Sequence, residues 1–326
     1  MDLSTLITDD LLLEDVFDLK KDNLKCISFL QHVGLLPKTK DCEQCHTSMA
    51  LKQMNITDGC AFRCYKCKKK VSIRKGTFFE GAKLSLWQVF FMMYVDINDI
   101  GMSYDMLMKQ AKISSRETIC DWKNYIREIY IEYFNMHRSP IGGIGVIVQI
   151  DESQICKRKY HRGRVLVNQS FWIVGGIDSN GNLFQVLTEL RNRIVLEEII
   201  TENCIRGSTL WTDKWPAYWN LSNLGYIHDS VNHSIEFKTA DGVHTNRIEA
   251  IWGAIKRKFR YITNKKPDLM PSYLADYHFK KIFPNNAISI YIKTINDIYL
   301  HLCFLIFLPD TRRQIPKRVI VPYFSR

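Results

Sequence analysis

The chain has 326 residues, which is enough for a sizeable hydrophobic core and for more than one domain. Hydrophobic residues make up 46% and charged residues 24% of the sequence, a composition typical of soluble globular proteins and not of low-complexity chains. The formal net charge of +11 favours a polyanionic partner, either nucleic acid or an acidic membrane surface, although a soluble protein that is merely basic has the same charge.

We expect neither a secretory signal nor a membrane span. Residues 1–10 are acidic and lack the basic region before an apolar stretch that a secretory signal requires. Residues 287–309 are the most apolar late stretch, but Lys293, Asp297 and His301 interrupt it. The ten cysteines are therefore expected in a reducing compartment, where clustered cysteines indicate a metal site rather than disulfides.

A cluster of cysteines follows the first predicted helix, which lies within residues 11–36. It consists of two Cys-x2-Cys pairs separated by eighteen residues, Cys42 with Cys45 and Cys64 with Cys67. Each short turn directs two thiolates at one point, and two such turns complete a tetrahedral zinc site. Four protein ligands leave no open position, so we expect one structural Zn²⁺.

Two alternatives to this zinc site stay open from the sequence alone. The cysteines are either buried and reduced without a metal, or His46 or Cys60 replaces one of the four ligands. Basic residues surround the second pair and are candidate contacts to DNA phosphates, although a run of charge is also typical of a solvated face. These candidates are Lys68, Lys69, Lys70 and Arg74.

Three further helices are expected at Leu84–Ile97, Tyr104–Ala111 and Glu117–Tyr133. The turn between the last two has the length of a helix-turn-helix motif, and Ser115 is placed to cap the final helix. Arg116 and Lys123 near the start of that helix are candidate DNA contacts. A helical connector that only packs fits the same pattern.

From residue 146 the pattern alternates between strands and helices, after a glycine-rich linker at Ile141–Gly145. An Asn-Gly turn within Asp178–Asn182 predicts a hairpin, because both central residues of such a turn take positive φ. Three strands, a helix, a strand, a short helix, a strand and a long helix follow one another in this order. It predicts a ribonuclease-H-like α/β fold, with the elements at 146–151, 170–177, 183–187, 193–203, 209–213, 215–221, 226–231 and 245–261.

Three acidic residues stand at special positions in this pattern. Asp151 and Asp213 each end an apolar strand, and Glu249 lies in the long helix. Two strand-end aspartates and a helical glutamate are typical ligands of two Mg²⁺ ions that cut and join phosphodiester bonds, and Mn²⁺ would serve in their place. Each residue also has a structural interpretation: Asp213 as a helix cap, Glu249 as a capping-box partner of Asn246, and Asp151 as a solvated strand end.

Basic residues flank this acidic triad on both sides. The predicted hairpin tip after the first strand and the helix after Glu249 are candidate DNA contacts, although both also fit solvent-exposed charge. They are Lys157, Arg158, Lys159, His161, Arg162, Arg164, Lys256, Arg257 and Lys258.

Several motifs of this region resemble one known family. They are Asp151-Glu152-Ser153, Lys157 to Arg164, Trp172-Ile173-Val174-Gly175-Gly176-Ile177, Thr212-Asp213-Lys214-Trp215-Pro216-Ala217-Tyr218, Val231-Asn232-His233-Ser234 and His244-Thr245-Asn246-Arg247-Ile248-Glu249. In this order they resemble the Merlin superfamily of cut-and-paste transposases and the related bacterial insertion-sequence transposases with an ISXO2-like transposase domain. The resemblance covers residues 25–283.

The resemblance implies a DDE transposase that binds terminal inverted repeats and target DNA, acts as a homo-oligomer of at least two copies in a synaptic complex, and works in the nucleus. It implies that Asp151, Asp213 and Glu249 form the metal-binding triad and that His233 and Asn246 lie near it. The expected organisation is an N-terminal helical segment (1–40), a zinc ribbon (41–80), a helical DNA-binding or connector segment (81–140), the catalytic domain (145–284) and a C-terminal extension (285–326).

Two other functions stay open at this point. One is a host-recruited transposase that binds DNA as a regulator while its triad is idle. The other is a nuclease of the same fold that acts on branched DNA or RNA hybrids.

Overall fold

The computed structural model describes residues 8–155, 172–231, 243–260, 262 and 269–305. Within these residues the fold is mixed α/β, and a 3-10 turn at Thr8–Asp10 precedes the first helix. The helices are α1 (Leu13–Leu19), α2 (Asn23–His32), α3 (Leu86–Ile97), α4 (Tyr104–Ala111), α5 (Arg116–Met136), α6 (Arg193–Asn203), α7 (Asn246–Arg260), α8 (Met270–Ile282) and α9 (Ala287–Leu305). The strands are β1 (Lys40–Asp41), β2 (Ser48–Gln53), β3 (Cys60–Arg63), β4 (Lys70–Ser72), β5 (Ile141–Gly142), β6 (Ile147–Gln154), β7 (Trp172–Asp178), β8 (Leu183–Thr188), β9 (Cys204–Ile205), β10 (Thr209–Asp213) and β11 (Ile227–Val231).

The described chain divides into two compact units, residues 8–133 with 279–305 and residues 134–278. In the first unit, β1 to β4 form an antiparallel sheet in sequence order. Helix α3 begins with a capping box, in which Ser85 and Gln88 each accept a backbone N–H from the other's residue. Nearly all of its side chains are buried, so α3 forms the centre of this unit's core.

The second unit is built on a five-stranded sheet with the order β11-β10-β6-β7-β8. The first three strands in sequence, β6 to β8, pair antiparallel, whereas β10 runs parallel to β6 and β11 parallel to β10. Two apolar clusters cover the two faces of this sheet. One contains Val148 and Ile150 of β6 with residues of α6, and the other contains Ile173 of β7 with residues of α7 and α8.

The polar residues of β6 lie on both faces of the sheet, because successive side chains of a strand point to opposite faces. Val148 and Ile150 enter the α6 cluster, while Gln149 contacts the start of α7. Asp151 therefore faces α7, and Glu152 faces the opposite layer.

The structure corrects four predictions about elements. Asp151 is not the end of its strand, because β7 continues to pair with β6 as far as Gln154 and keeps it extended. Residues 11–36 form two helices with a break at 20–22, and Ile141–Gly142 pairs with β9 instead of serving as an open linker. The predicted short helix at 215–221 is a 3-10 turn at Pro216–Tyr218, followed by another at 221–224.

None of the helices in the described residues combines the length and the apolar character that are needed to cross a bilayer.

Candidate functional site

The four predicted zinc ligands converge in the first unit. The Sγ atoms of Cys42, Cys45, Cys64 and Cys67 all lie within 4.8 Å of one another. Neighbouring pairs are 3.3, 3.4 and 3.8 Å apart. A tetrahedral zinc ion with Zn–S bonds of about 2.3 Å needs sulfurs about 3.8 Å apart, so this donor set fits zinc.

The two halves of this cluster repeat the same turn. Cys42 N–H donates to the Thr47 carbonyl and Cys64 N–H to the Lys69 carbonyl, each at 2.9 Å. His46 and Lys68 occupy equivalent places and both adopt a left-handed backbone, with φ of 52° and 60°. The backbone N–H groups of Gln44 and Cys45 point at the Cys42 sulfur and lower the pKa of its thiol, which favours the thiolate that binds metal.

The alternative ligands are not part of the cluster. Neither His46 nor Cys60 belongs to the group of converging side chains within the described residues. Cys60 is buried in β3, and burial raises the pKa of its thiol. The geometry therefore favours the four-cysteine set.

The basic residues near the cluster differ in what they can reach. Lys68 and Lys70 are exposed, whereas Lys69 forms an ion pair with Glu43 at 3.1 Å. Arg74 is buried, and its guanidinium donates to both carboxylate oxygens of Asp58 as well as to two backbone carbonyls. Arg74 therefore holds this segment together, which corrects its assignment as a DNA contact.

The predicted helix-turn-helix region consists of α4 and the start of α5. Ser115 accepts the Thr118 N–H and so caps α5 as expected. Arg116 and Lys123 both stand over the ring of Tyr104, at 4.7 and 5.4 Å from its centroid. Arg116 is exposed, so a cationic and aromatic surface is available at the beginning of α5.

Two of the three triad residues lie at the same level of the central sheet. Trp211 of β10 pairs with Gln149 of β6, and Asp213 and Asp151 each stand two residues further along these parallel strands. Both aspartates are half-buried. The neighbouring strands thus present two carboxylates side by side on the face that α7 covers.

Helix α7 brings the third carboxylate and is held against β6 by specific hydrogen bonds. The Oε1 atom of Gln149 accepts the Arg247 N–H at 3.0 Å, and Trp252 Nε1 donates to Asp151 Oδ2 at 3.0 Å. Gly175 lies opposite Asp151 on β7, and a Cβ there would come within 2.7 Å of Trp252. The glycine makes room for the indole that holds Asp151.

Local hydrogen bonds orient the other two triad residues. The Thr245 hydroxyl donates to Glu249 Oε1 at 2.7 Å, and Glu249 itself is exposed on the first turns of α7. Asp213 Oδ1 accepts the Trp215 N–H at 3.0 Å, in the turn before the 3-10 segment at Pro216–Tyr218, whose N-cap residue is Trp215 and not Asp213. Because a carboxylate has several acceptor positions, these bonds leave both groups able to bind a cation.

Electrostatics couple the three carboxylates around Asp151. Burial, followed by the charge of Glu152 and then those of Asp213 and Glu249, raises the pKa of Asp151 to about 7. Negative charge is therefore concentrated around Asp151. An oxygen-rich donor set of this kind fits Mg²⁺ or Mn²⁺. The described acidic side chains do not, however, converge as closely as the four cysteines do.

A fourth carboxylate, that of Glu152, lies on the opposite face of β6. The Glu152 side chain is 5% exposed, accepts the Tyr218 hydroxyl and lies 3.4 Å from Arg191. Burial raises the pKa of Glu152, and the Tyr218 hydrogen bond opposes that rise. Only the fold brings these three residues together, because they come from three separate segments.

The remaining predicted contacts fall into three groups. Lys256 and Arg257 are exposed on α7, whereas Lys258 forms an ion pair with Asp276 at 2.8 Å. Asn246 is the exposed first residue of α7. The last group lies outside the described residues and consists of Lys157, Arg158, Lys159, His161, Arg162, Arg164 and His233.

Comparison with known families adds a direct indication of function for this second unit. Residues 145–281 match the ISXO2-like transposase domain. The match spans β6 to α8 and contains all three triad positions. It supports an insertion-sequence transposase family and a transposase function, and such a function implies DNA binding. No curated protein matches the chain.

Proposed function

We propose that this protein is a cut-and-paste DNA transposase of the Merlin superfamily, with a ribonuclease-H-like catalytic domain and a DDE triad. The sheet supports the fold, because three antiparallel strands followed by two parallel ones, with helices on both faces, is the arrangement that the fold requires. The match to a transposase domain over the same residues supports the chemistry.

One observation carries this proposal. Asp213 and Glu249, from β10 and α7, both act electrostatically on Asp151 in β6, whose burial already penalises its charge. Concentrating carboxylates at a desolvated position is costly unless a cation is bound there. We infer that Asp151, Asp213 and Glu249 hold two Mg²⁺ or Mn²⁺ ions.

The residues of the chain have separate tasks in this proposal. Bound divalent ions would neutralise the charge that develops on the leaving oxygen and activate the attacking water or 3′-hydroxyl. Trp252 fixes the orientation of Asp151, and Thr245 that of Glu249. The zinc ribbon serves a structural role, and phosphates of the inverted repeat and of target DNA contact basic residues. These include the half-buried Lys123 and the exposed Lys68, Lys70, Arg116, Lys256 and Arg257.

The same proposal extends to assembly and location. Two element ends must be cut and joined together, so we propose a homo-oligomer of at least two copies in the synaptic complex. The basic segment at 157–164 and the pair His233 and Asn246 are proposed to contact DNA or to lie near the triad. We propose a nuclear location, as the resemblance implies.

A strand-transfer assay tests this function. Purified protein, Mg²⁺ or Mn²⁺ and labelled duplexes that carry the flanking inverted repeat are incubated with target DNA. Asp151→Asn and Glu249→Gln should each abolish joined products while repeat binding is retained. Glu198→Gln, an exposed glutamate of α6, is the matched control and should join ends at the wild-type rate.

A regulator without catalysis is the second candidate. It is favoured by the local hydrogen bonds of Asp213 and Glu249, since both residues have a structural use that does not need metal. Binding to the repeat without cleavage or joining in either metal would support this candidate. Cleavage of branched DNA or RNA hybrids without joining would instead identify a nuclease.

A further inference from the structure

Arg191 occupies an unusual position in the loop between β8 and α6. Its guanidinium carbon lies 4.0 Å from the ring centroid of Trp172 and 4.7 Å from that of Trp215. Trp172 is the first residue of β7, whereas Trp215 lies in the segment that follows β10, so the two aromatic contacts come from separate parts of the chain. Its Nη1 atom lies 3.4 Å from Glu152 Oε1.

These contacts orient the Arg191 side chain but leave some of its N–H donors available for a ligand. An arginine loses rotamer freedom when it is immobilised, and two indole rings together with a carboxylate already impose that order here. A guanidinium has five N–H donors, and the ion pair with Glu152 is long and uses few of them. The side chain of Arg191 is 44% exposed, so its remaining donors can reach a ligand from solvent.

The position relative to the triad indicates which ligand this is. Glu152 is the neighbour of Asp151 in β6, and the Trp215 N–H donates to Asp213. Arg191 therefore contacts the chain neighbour of Asp151 and a residue that is hydrogen-bonded to Asp213, although the Glu152 side chain lies on the face of β6 opposite to that of Asp151. A DNA strand that enters this region brings phosphates towards several carboxylates, and a nearby fixed cation offsets their repulsion.

Neutralisation of Glu152 alone does not explain the arrangement. Glu152 already accepts the Tyr218 hydroxyl, and an ion pair with an exposed partner contributes little to stability. Contacts with two tryptophan rings are not needed for such an ion pair. Planar guanidinium groups that are held by aromatic faces are well suited to bind phosphate with two parallel hydrogen bonds.

We propose that Arg191 is a phosphate-binding residue, pre-organised by Trp172, Trp215 and Glu152, that contacts the backbone of the DNA strand entering the acidic site. This inference rests on the proposed function for the identity of the ligand. It predicts a contribution to DNA affinity that is separate from the chemistry of cleavage and joining.

The test is a binding measurement without divalent metal, so that cleavage does not interfere. The full chain is titrated against a fluorescent duplex that carries the flanking inverted repeat, over a series of salt concentrations. Arg191→Gln should weaken binding about five- to tenfold and lower the slope of log affinity against log salt by about 0.9, the effect of one phosphate contact. Arg193→Gln, an exposed arginine two residues away, is the matched control and should change neither quantity.

A second variant separates phosphate binding from the neutralisation of Glu152. If Arg191 only compensates Glu152, the double variant Arg191→Gln with Glu152→Gln should bind DNA like the Glu152→Gln protein. If Arg191 contacts phosphate, the double variant should stay weak and Glu152→Gln alone should bind at least as well as wild type. Wild-type affinity and an unchanged salt slope in Arg191→Gln would overturn the inference.

Substitution of single phosphates locates the contact. A neutral methylphosphonate at the contacted position should weaken the wild type and leave Arg191→Gln unaffected, whereas no such position should exist if the inference is wrong. The proposed function fails independently of this result, because it requires joined products in the metal-dependent assay. If the protein binds DNA through Arg191 but never joins DNA ends, the phosphate-binding role of Arg191 would be supported and the proposed transposase function would be contradicted.

Discussion

Replacing Asp151 with asparagine should stabilise the metal-free protein, and increasingly so as the pH rises. The pKa of Asp151 is raised from 3.8 to about 7, chiefly by burial and then by the charge of Glu152. A carboxyl group whose pKa is raised in the folded state contributes fully to stability only when the pH is below its pKa in the unfolded chain. This contribution is lost as the pH rises through the folded pKa of about 7. Asparagine has no charge to bury, and its side-chain oxygen can still accept the Trp252 N–H.

The magnitude follows from the two pKa values. A pKa rise from 3.8 to about 7 corresponds to about 4 kcal/mol of unfolding free energy between about pH 4 and pH 8. Asp151 is half-buried and keeps some contact with solvent, so we expect about 2–4 kcal/mol. The free energy of unfolding of the variant should therefore be higher than that of the wild type by this amount at about pH 8, and by much less at about pH 4.

Urea unfolding of both proteins across this pH range, with a chelator of Mg²⁺ present, measures the difference. Glu198→Gln, at the exposed glutamate of α6, serves as the control, because the carboxylate that it removes is not buried. Adding Mg²⁺ should then stabilise the wild type more than the Asp151→Asn variant, since a ligand stabilises only the form that binds it. Equal stability of variant and wild type at every pH would refute the argument, because it would mean that Asp151 bears no cost of desolvation.

Two further substitutions test the surroundings of the two sites. Gly175→Ala should destabilise the protein by about 1–3 kcal/mol, because its Cβ would overlap the Trp252 ring, whereas Gly101→Ala has open space and should be close to neutral in thermal unfolding. Cys42→Ser should lower bound zinc, measured by atomic emission, from about one ion per chain to well below that value, while Cys60→Ser should retain it. Zinc retained in Cys42→Ser, or lost equally in both proteins, would contradict the four-cysteine site.

The sequence predicts well those features that depend on neighbouring residues. The Cys-x2-Cys spacing predicts the cluster because each pair is a local turn, and the structure brings all four sulfurs together. The Asn180-Gly181 dipeptide likewise predicts the hairpin of β7 and β8, but only Gly181 takes a positive φ, of 94°, and Asp178 pairs with Asn182, so the turn is longer than the two-residue type that the dipeptide favours. The order of strands and helices after residue 146 predicts the mixed α/β class of the second unit.

Features that depend on contacts between residues far apart in the chain cannot be predicted from the sequence. Arg74 belongs to a run of basic residues, which predicts that it is exposed. In the structure it is buried and bound by Asp58, sixteen residues earlier. The strand at Asp151 continues to Gln154 because of pairing with β7, which side-chain polarity does not indicate. Arg191 meets its aromatic neighbours from other strands only once the sheet has formed.

The two hydrogen bonds between α7 and β6 constrain the helix as a rigid body. One joins Gln149 to Arg247 and the other joins Trp252 to Asp151, so the attachments are five residues, or about 7.5 Å, apart along the helix axis. Because the two hydrogen bonds attach the helix at separate points, they restrict both its translation along the sheet and its rotation about its own axis. Glu249 lies between these points, and its distance from the strand carboxylates is therefore set by β6 itself.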